Sequence, residues 1–272
     1  MQLDKTQIAI RERSFPDLLD LSLHVIRRHA APLAVAFLLG AVPFAVLNQW
    51  LLADYLHDFD IDNAPSPPYF YWLLVLFIWE APLAAAPITL YLGQALFSDQ
   101  PSAARLGKDF LASLPQLIFF QVVIRGLLSV FFLFWPILYW VWPYLNEIIL
   151  LERNPWRKRG MYGTSTATRS SNMHSRNRGE LFSRWLGSLL VGAALIAAVW
   201  AACWFLRLQL ASKLEFDQPM YTVYLPAAIW LSLGYFAVVR FLSYLDLRIR
   251  TEGWEVELIM RAEGARLARQ LA

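Results

Sequence analysis

Long apolar runs separated by short polar segments dominate this chain, and their lengths match the thickness of a membrane. Runs at about 33–52, 69–93, 115–134, 136–151, 181–206 and 221–243 are almost free of charge. About 20 apolar residues, rising 1.5 Å each, cross a hydrocarbon layer of about 30 Å. The pattern therefore predicts an all-α integral membrane bundle of about six transmembrane helices, a single membrane domain over 1–272. Within 115–151 the only charges are Arg125 and Glu147, while Trp135, Pro136, Trp142 and Pro143 predict a tight reversal. That stretch is either two short helices or a re-entrant hairpin.

Polar positions ahead of three runs recur at helical spacing. Asp17, Asp20, His24 and Arg27 fall three or four residues apart while Leu18, Leu21 and Val25 line another face, as an amphipathic helix at an interface requires. Arg105, Lys108 and Asp109 against Leu106, Phe110 and Leu114 repeat the pattern, and Arg176, Glu180 and Arg184 beside Leu181, Phe182 and Trp185 repeat it less tidily. Pro32 and Pro115 stand at matching junctions. These features predict three copies of a unit made of a cytoplasm-side interfacial helix and a transmembrane hairpin.

Charge turns the runs into a topology. Of the 24 Lys and Arg residues, five lie in the N-terminal thirty residues, two in the loop after the second run, eight between Arg153 and Arg184, and five in the tail 244–272. Basic loops stay on the cytoplasmic side, so both termini and the loop 153–180 are predicted to be cytoplasmic. Because the basic loops at 94–114 and 153–180 share a side, the chain between them crosses an even number of times. The opposite loops carry Asp54, Asp58, Asp60, Asp62, Glu215 and Asp217 against Arg207 and Lys213. Arg240 sits near the inner end of the last run, and Arg125 is the cation that topology leaves unexplained.

Composition agrees. The chain is 58% hydrophobic, against roughly 45–50% for soluble domains, and its net charge of +3 gives no reason to expect nucleic acid as a partner. The lone Cys203 has no cysteine to bridge. Trp156 with Arg157, Lys158 and Arg159 forms a basic, aromatic segment suited to anionic lipid head groups at the cytoplasmic face. The small, polar run 163–172 reads as a mobile part of that loop.

Candidate chemistry centres on charges at membrane depth. Glu80 and Arg125 each lie about ten residues into their runs, near the midplane, where one charge costs about 2.5–3.5 kcal/mol on insertion scales. A Glu80–Arg125 ion pair is the simplest way to satisfy both, with Glu147 the alternative partner of Arg125. Such a cluster serves either to lock helices or to line a pathway. Pro82 and Pro87 near Glu80 free backbone carbonyls within one span. Asp58, Asp60 and Asp62 start like a calcium loop, but Asn63 replaces the turn glycine and Tyr69 the final glutamate. The four histidines are dispersed over both sides, so no metal or other cofactor is expected. No Gly-x-Ser-x-Gly, His-Glu-x-x-His, phosphate-binding glycine loop or cysteine pair occurs, and the chain is expected not to be an enzyme.

Three segments carry a resemblance: Ser14-Phe-Pro-Asp-Leu-Leu-Asp-Leu with Arg27-Arg28-His29; Pro143-Tyr-Leu-Asn-Glu-Ile-Ile-Leu-Leu-Glu-Arg-Asn-Pro155; and Tyr244-Leu-Asp-Leu-Arg-Ile-Arg-Thr-Glu-Gly-Trp254. Across nearly the whole chain the sequence resembles bacterial membrane proteins related to the glycerophosphoryl diester phosphodiesterase membrane-domain family. The resemblance implies a helical membrane domain of undefined activity and supplies no catalytic residues. The functional expectation is a noncatalytic inner-membrane protein, a structural or accessory subunit that partners other membrane-protein subunits. The alternative is a channel or transporter with a polar pathway around Glu80, Arg125 and Glu147.

Overall fold

The structure, a computed structural model, describes residues 13–56, 65–96, 98, 101–129, 142, 144–156, 164–211 and 216–252. Every regular element among them is helical: α1 (Phe15–Arg28), α2 (Ala30–Leu51), α3 (Pro67–Ala95), α4 (Ala103–Leu117), α5 (Gly126–Ser129), α6 (Leu145–Glu147), α7 (Thr166–Arg176), α8 (Arg178–Ala211) and α9 (Leu225–Glu252). A short 3-10 turn, Ala53–Leu56, follows α2. π-helical turns at Ile118–Arg125, Ile148–Glu152 and Met220–Tyr224 join α4 to α5, extend α6 and lead into α9. Five of the resulting continuous helices are long and apolar enough to cross a membrane: Ala30–Leu51, Pro67–Ala95, Ala103–Leu128, Arg178–Leu210 and Met220–Thr251.

The first lead-in is a separate helix for local reasons. Ser14 and Asp17 form a reciprocal capping box, with the Ser14 amide donating to Asp17 Oδ2 at 3.1 Å, and Pro16 sits in the first turn. Leu18, Ser22 and Val25 are its buried face, turned toward α9, whose Tyr235 hydroxyl donates to the Leu19 carbonyl at 3.0 Å. The helix stops at His29, whose ring nitrogen meets the Tyr91 hydroxyl at 2.9 Å. The other two lead-ins differ. α4 runs without a break through the π turn into α5, and α8 is one helix from Arg178, so their polar first turns continue directly into the apolar stretch.

α3 is the centre of the bundle. More than half of its most apolar stretch is buried, 56%, against 22% in α2 and none in α8. α2 lies close along it because Gly40 has no side chain: a Cβ there would overlap the Ala84 carbonyl, the kind of small-residue contact that lets membrane helices approach. α9 packs against α1, α3 and α8. On the other side, Trp79 Nε1 donates to the Gly126 carbonyl at 2.7 Å and fastens α3 to the end of the π turn.

The π turn Ile148–Glu152 packs against α4. Arg153 pairs with Asp109 at 2.6 Å, and Gln116 Nε2 donates to the Asn154 carbonyl at 3.1 Å, so 153–154 lie beside the middle and last turn of α4. The intervening 130–141 and 143 lie outside the described residues. The run 163–172, expected to be mobile, is instead helical from Thr166 on. Ser165 caps α7 by accepting from the Thr168 amide, and Thr166 is buried, bonded to Gln116 at 2.5 Å. Composition read that segment as a loop because its small polar side chains give no apolar period, whereas here they serve as a cap and an anchor. Two tyrosines at the edges of apolar runs are also interior: Tyr69 and Tyr244 are buried, with hydroxyls donating to the Tyr221 carbonyl and to Glu152.

Candidate functional site

Two polar regions emerge where α3, α4, α6, α8 and α9 meet. The first is a belt of ion pairs at the end of the bundle that carries 109, 153 and 180. Asp246 of α9, 3% exposed, is shared by Arg184 of α8 and Arg250 of its own helix. Glu180 accepts from the same two arginines at 2.5 Å. Arg184 also donates to Ser243 Oγ at 2.6 Å, which in turn meets the Tyr144 hydroxyl at 2.6 Å. Beside it, Glu152 holds Arg169 of α7 through both of its oxygens, at 3.0 Å and 3.2 Å, and accepts from Tyr244 at 2.6 Å. Burial would push the Glu152 carboxyl up, but the Arg169 and Tyr244 hydrogen bonds and the charges of Arg169 and Arg248 outweigh it and hold it below its ordinary value. His29, at the α1–α2 junction, is lowered by burial and by the nearby charge of Arg28.

The second region is a cleft of about 410 Å3 next to the belt. Its polar wall comes from Gln121 and Arg125 on the π turn, Asn146 and Glu147 on α6, Arg184 on α8 and Arg240 on α9. Trp185, Leu189 and Ile196 of α8 face Leu233 and Phe236 of α9 across the apolar remainder. Arg125 is among the most deeply buried large side chains of the protein, 1% exposed, and its Nη1 donates to Gln121 Oε1 at 2.8 Å, one helical turn back. π turns are rare and collect at functional sites; this one carries both residues.

The three charges singled out by depth are thus divided. Arg125 and Glu147 line the same cleft, but Glu147 takes Arg240 as its partner, through bonds of 3.1 Å and 3.2 Å. Glu80 is elsewhere. The expected Glu80–Arg125 pair is not formed: Glu80 accepts from Asn48 Nδ2 of α2 at 2.8 Å. The reason is angular. Ala81, Pro82 and Ala85 are the α3 residues that line the cleft, and at about 100° per residue they lie roughly 100–200° around the helix from Glu80, so Glu80 at the same depth points away from it. Depth was legible in the sequence and azimuth was not.

Trp156 is 47% exposed and stacks on Phe119 with ring centroids 5.2 Å apart; Arg157, Lys158 and Arg159 lie outside the described residues, as do Asp58, Asp60 and Asp62. No group of three or more His, Cys, Asp or Glu side chains that could hold a metal ion occurs among the described residues. Arg184, read above as part of the third lead-in, and Arg240 prove to be paired side chains of the belt and the cleft. The spacing Glu180–Arg184 and Asp246–Arg250 signals those local pairs, whereas Arg240–Glu147 joins segments far apart in the chain and leaves no local trace.

Fold and site together define a helical protein with several helices fit to span a membrane and a polar cleft enclosed among them. No family model, curated protein or solved structure matches the chain.

Proposed function

We propose that the chain is a noncatalytic, multi-pass protein of a bacterial inner membrane, with six crossings and both termini in the cytoplasm, acting as an accessory subunit of a membrane assembly. The return of 153–154 to the side of Asp109 and Gln116 supports an even number of crossings between the basic loops. On this topology the ion-pair belt lies near the cytoplasmic face, and α1 lies along that interface with Trp156 and its basic neighbours near anionic lipids.

The observation that carries the accessory role is α8. Its most apolar stretch has no buried residue, although the same helix is fastened by Arg184 to Asp246 at one end and by Arg207 to Asp217 at 2.5 Å at the other. A spanning helix held firmly and presented outward is suited to packing with helices of another subunit. Crosslinking in native membranes followed by purification in mild detergent tests this: cysteines placed at Leu190 and Leu206 of α8 should capture a partner protein. A chain that runs as an isolated monomer and crosslinks to nothing overturns the reading.

The alternative, a channel or transporter, draws on the cleft that brings Arg125 and Glu147 together. Its test is ion flux in proteoliposomes: flux abolished in Arg125→Met protein that still folds supports it, and flux no higher than in empty vesicles for the native chain rejects it.

A further inference from the structure

Two glutamates lie within the apolar runs, and their surroundings differ. Glu147 is held by Arg240 through bonds of 3.1 Å and 3.2 Å. Glu80, 5% exposed, has the neutral Asn48 as its partner at 2.8 Å and makes no ion pair among the described residues. The neighbouring helices supply the reason. α2 has no charged residue, Glu80 is the one charge of α3, and α9 with the π turn before it has none ahead of Arg240. Both helices pack on this face of α3: Phe77 and Ala84, one turn to either side of Glu80, share a cluster with Ala41 of α2 and Trp230 of α9. The charges on the other side of α3, Arg125 and Glu147, line the cleft that Glu80 does not reach.

A carboxylate here would keep its charge in an apolar contact with a single amide to stabilise it, and a buried carboxyl that lacks a cation takes up a proton and becomes neutral. A metal ion fits less well than a proton. Hard cations take about six or more oxygen ligands, and the polar side chains that meet at this point are one carboxyl and one amide. We propose that Glu80 is a proton-binding site of the membrane interior, a carboxylic acid that stays neutral at neutral pH in the contact between α2 and α3. Asn48 connects it to an approach. It also lines a cavity of about 520 Å3 between α2 and α9, whose lining residues Val46 and Leu231 are 66% and 52% exposed on the flank of the bundle. That lining is largely apolar, so an apolar reagent dissolved in the bilayer nears the acid from the side, by way of Asn48. This holds whether the protein is an accessory subunit or a transporter, since it requires only the α2–α3 contact.

The probe is dicyclohexylcarbodiimide, which couples to protonated carboxyls. The carboxyl hydrogen moves to one carbodiimide nitrogen, the oxygen bonds to the central carbon, and the acyl group then shifts from oxygen to nitrogen, so the chain gains the mass of the whole reagent. The full chain in vesicles at neutral pH should gain a single adduct, which peptide mass spectrometry should place on Glu80 and not on the paired Glu147. Glu80→Gln, which keeps the shape of the neutral acid, should lose the adduct. Infrared difference spectra of the native chain against Glu80→Gln read the proton directly and need no reagent to reach it. They should show the carbonyl band of a protonated acid in the native chain, and Asn48→Leu, which removes the hydrogen-bond donor, should shift that band to higher frequency. Carboxylate bands alone in the native spectrum overturn the proposal, as does labelling of Glu147 equal to that of Glu80. Labelling suppressed by sodium or calcium ions at constant pH overturns it in favour of a metal-cation site.

Discussion

The belt and the cleft lie side by side, share Arg184 and Ser243, and treat polarity in opposite ways. In the belt, each buried charge meets its opposite, Asp246 with Arg184 and Arg250 and Glu152 with Arg169, although Arg250 Nε has no hydrogen-bond partner among the described residues. In the cleft wall, Arg240 and Glu147 pair, yet the buried Gln121 Nε2, Asn146 Oδ1 and Ser232 Oγ have no hydrogen-bond partner among the described residues. A satisfied network fixes helices in one arrangement, while an incompletely satisfied one is costly unless something completes it. The belt therefore reads as frame and the cleft wall as its less completely bonded neighbour, and substitutions in the two should differ in size and in sign.

The largest effect belongs to Asp246→Ala. It leaves Arg184 and Arg250 sharing Glu180 alone, and removing one partner of a buried pair costs about 3–5 kcal/mol. Thermal melting in detergent, or steric trapping in bicelles, should register it. A loss below 1 kcal/mol would mean that the belt does not hold the bundle. Next is Glu152→Gln, which forfeits charge-assisted bonds to Arg169 and should cost about 1.5–3 kcal/mol. Acid should act in the same direction. Because the folded carboxyl is held below its ordinary value of 4.5, its contribution is complete above that pH and is lost as pH falls through the lower, folded value. In Glu152→Gln that part of the acid sensitivity should vanish from the pH dependence of melting. Smallest is Ser232→Ala in the cleft wall: with its hydroxyl unpartnered among the described residues, stability should hold or rise, by at most about 1 kcal/mol, against the losses in the belt.

Much of the fold is written in the sequence and much of the site is not. Apolar run length is a one-dimensional property, so the long helices 30–51, 67–95, 178–210 and 220–251 fall close to the runs that announce them. The α1 face and its Ser14 cap are equally local. The run 163–172 misled because caps and anchors carry no hydrophobic period. Glu80 misled for another reason: hydropathy gives distance along a helix, and which neighbour a side chain meets depends on rotation about the axis, set by contacts such as Gly40 on Ala84. Gln121–Arg125 was readable as a one-turn pair; Asn146, Ser232 and Arg240 gather around it only because three segments distant in sequence fold together.

The fastening of α8 has a mechanical meaning. Its first turns are gripped through Arg184, and its far end through Arg207 and through Trp200 Nε1, which donates to the Met220 carbonyl at 2.9 Å. Between them Gly192 and Ala193 border the cleft. A beam supported at both ends bows most at midspan while its supports stay seated. The slot beside Phe236 can thus widen or narrow without a single ion pair being broken.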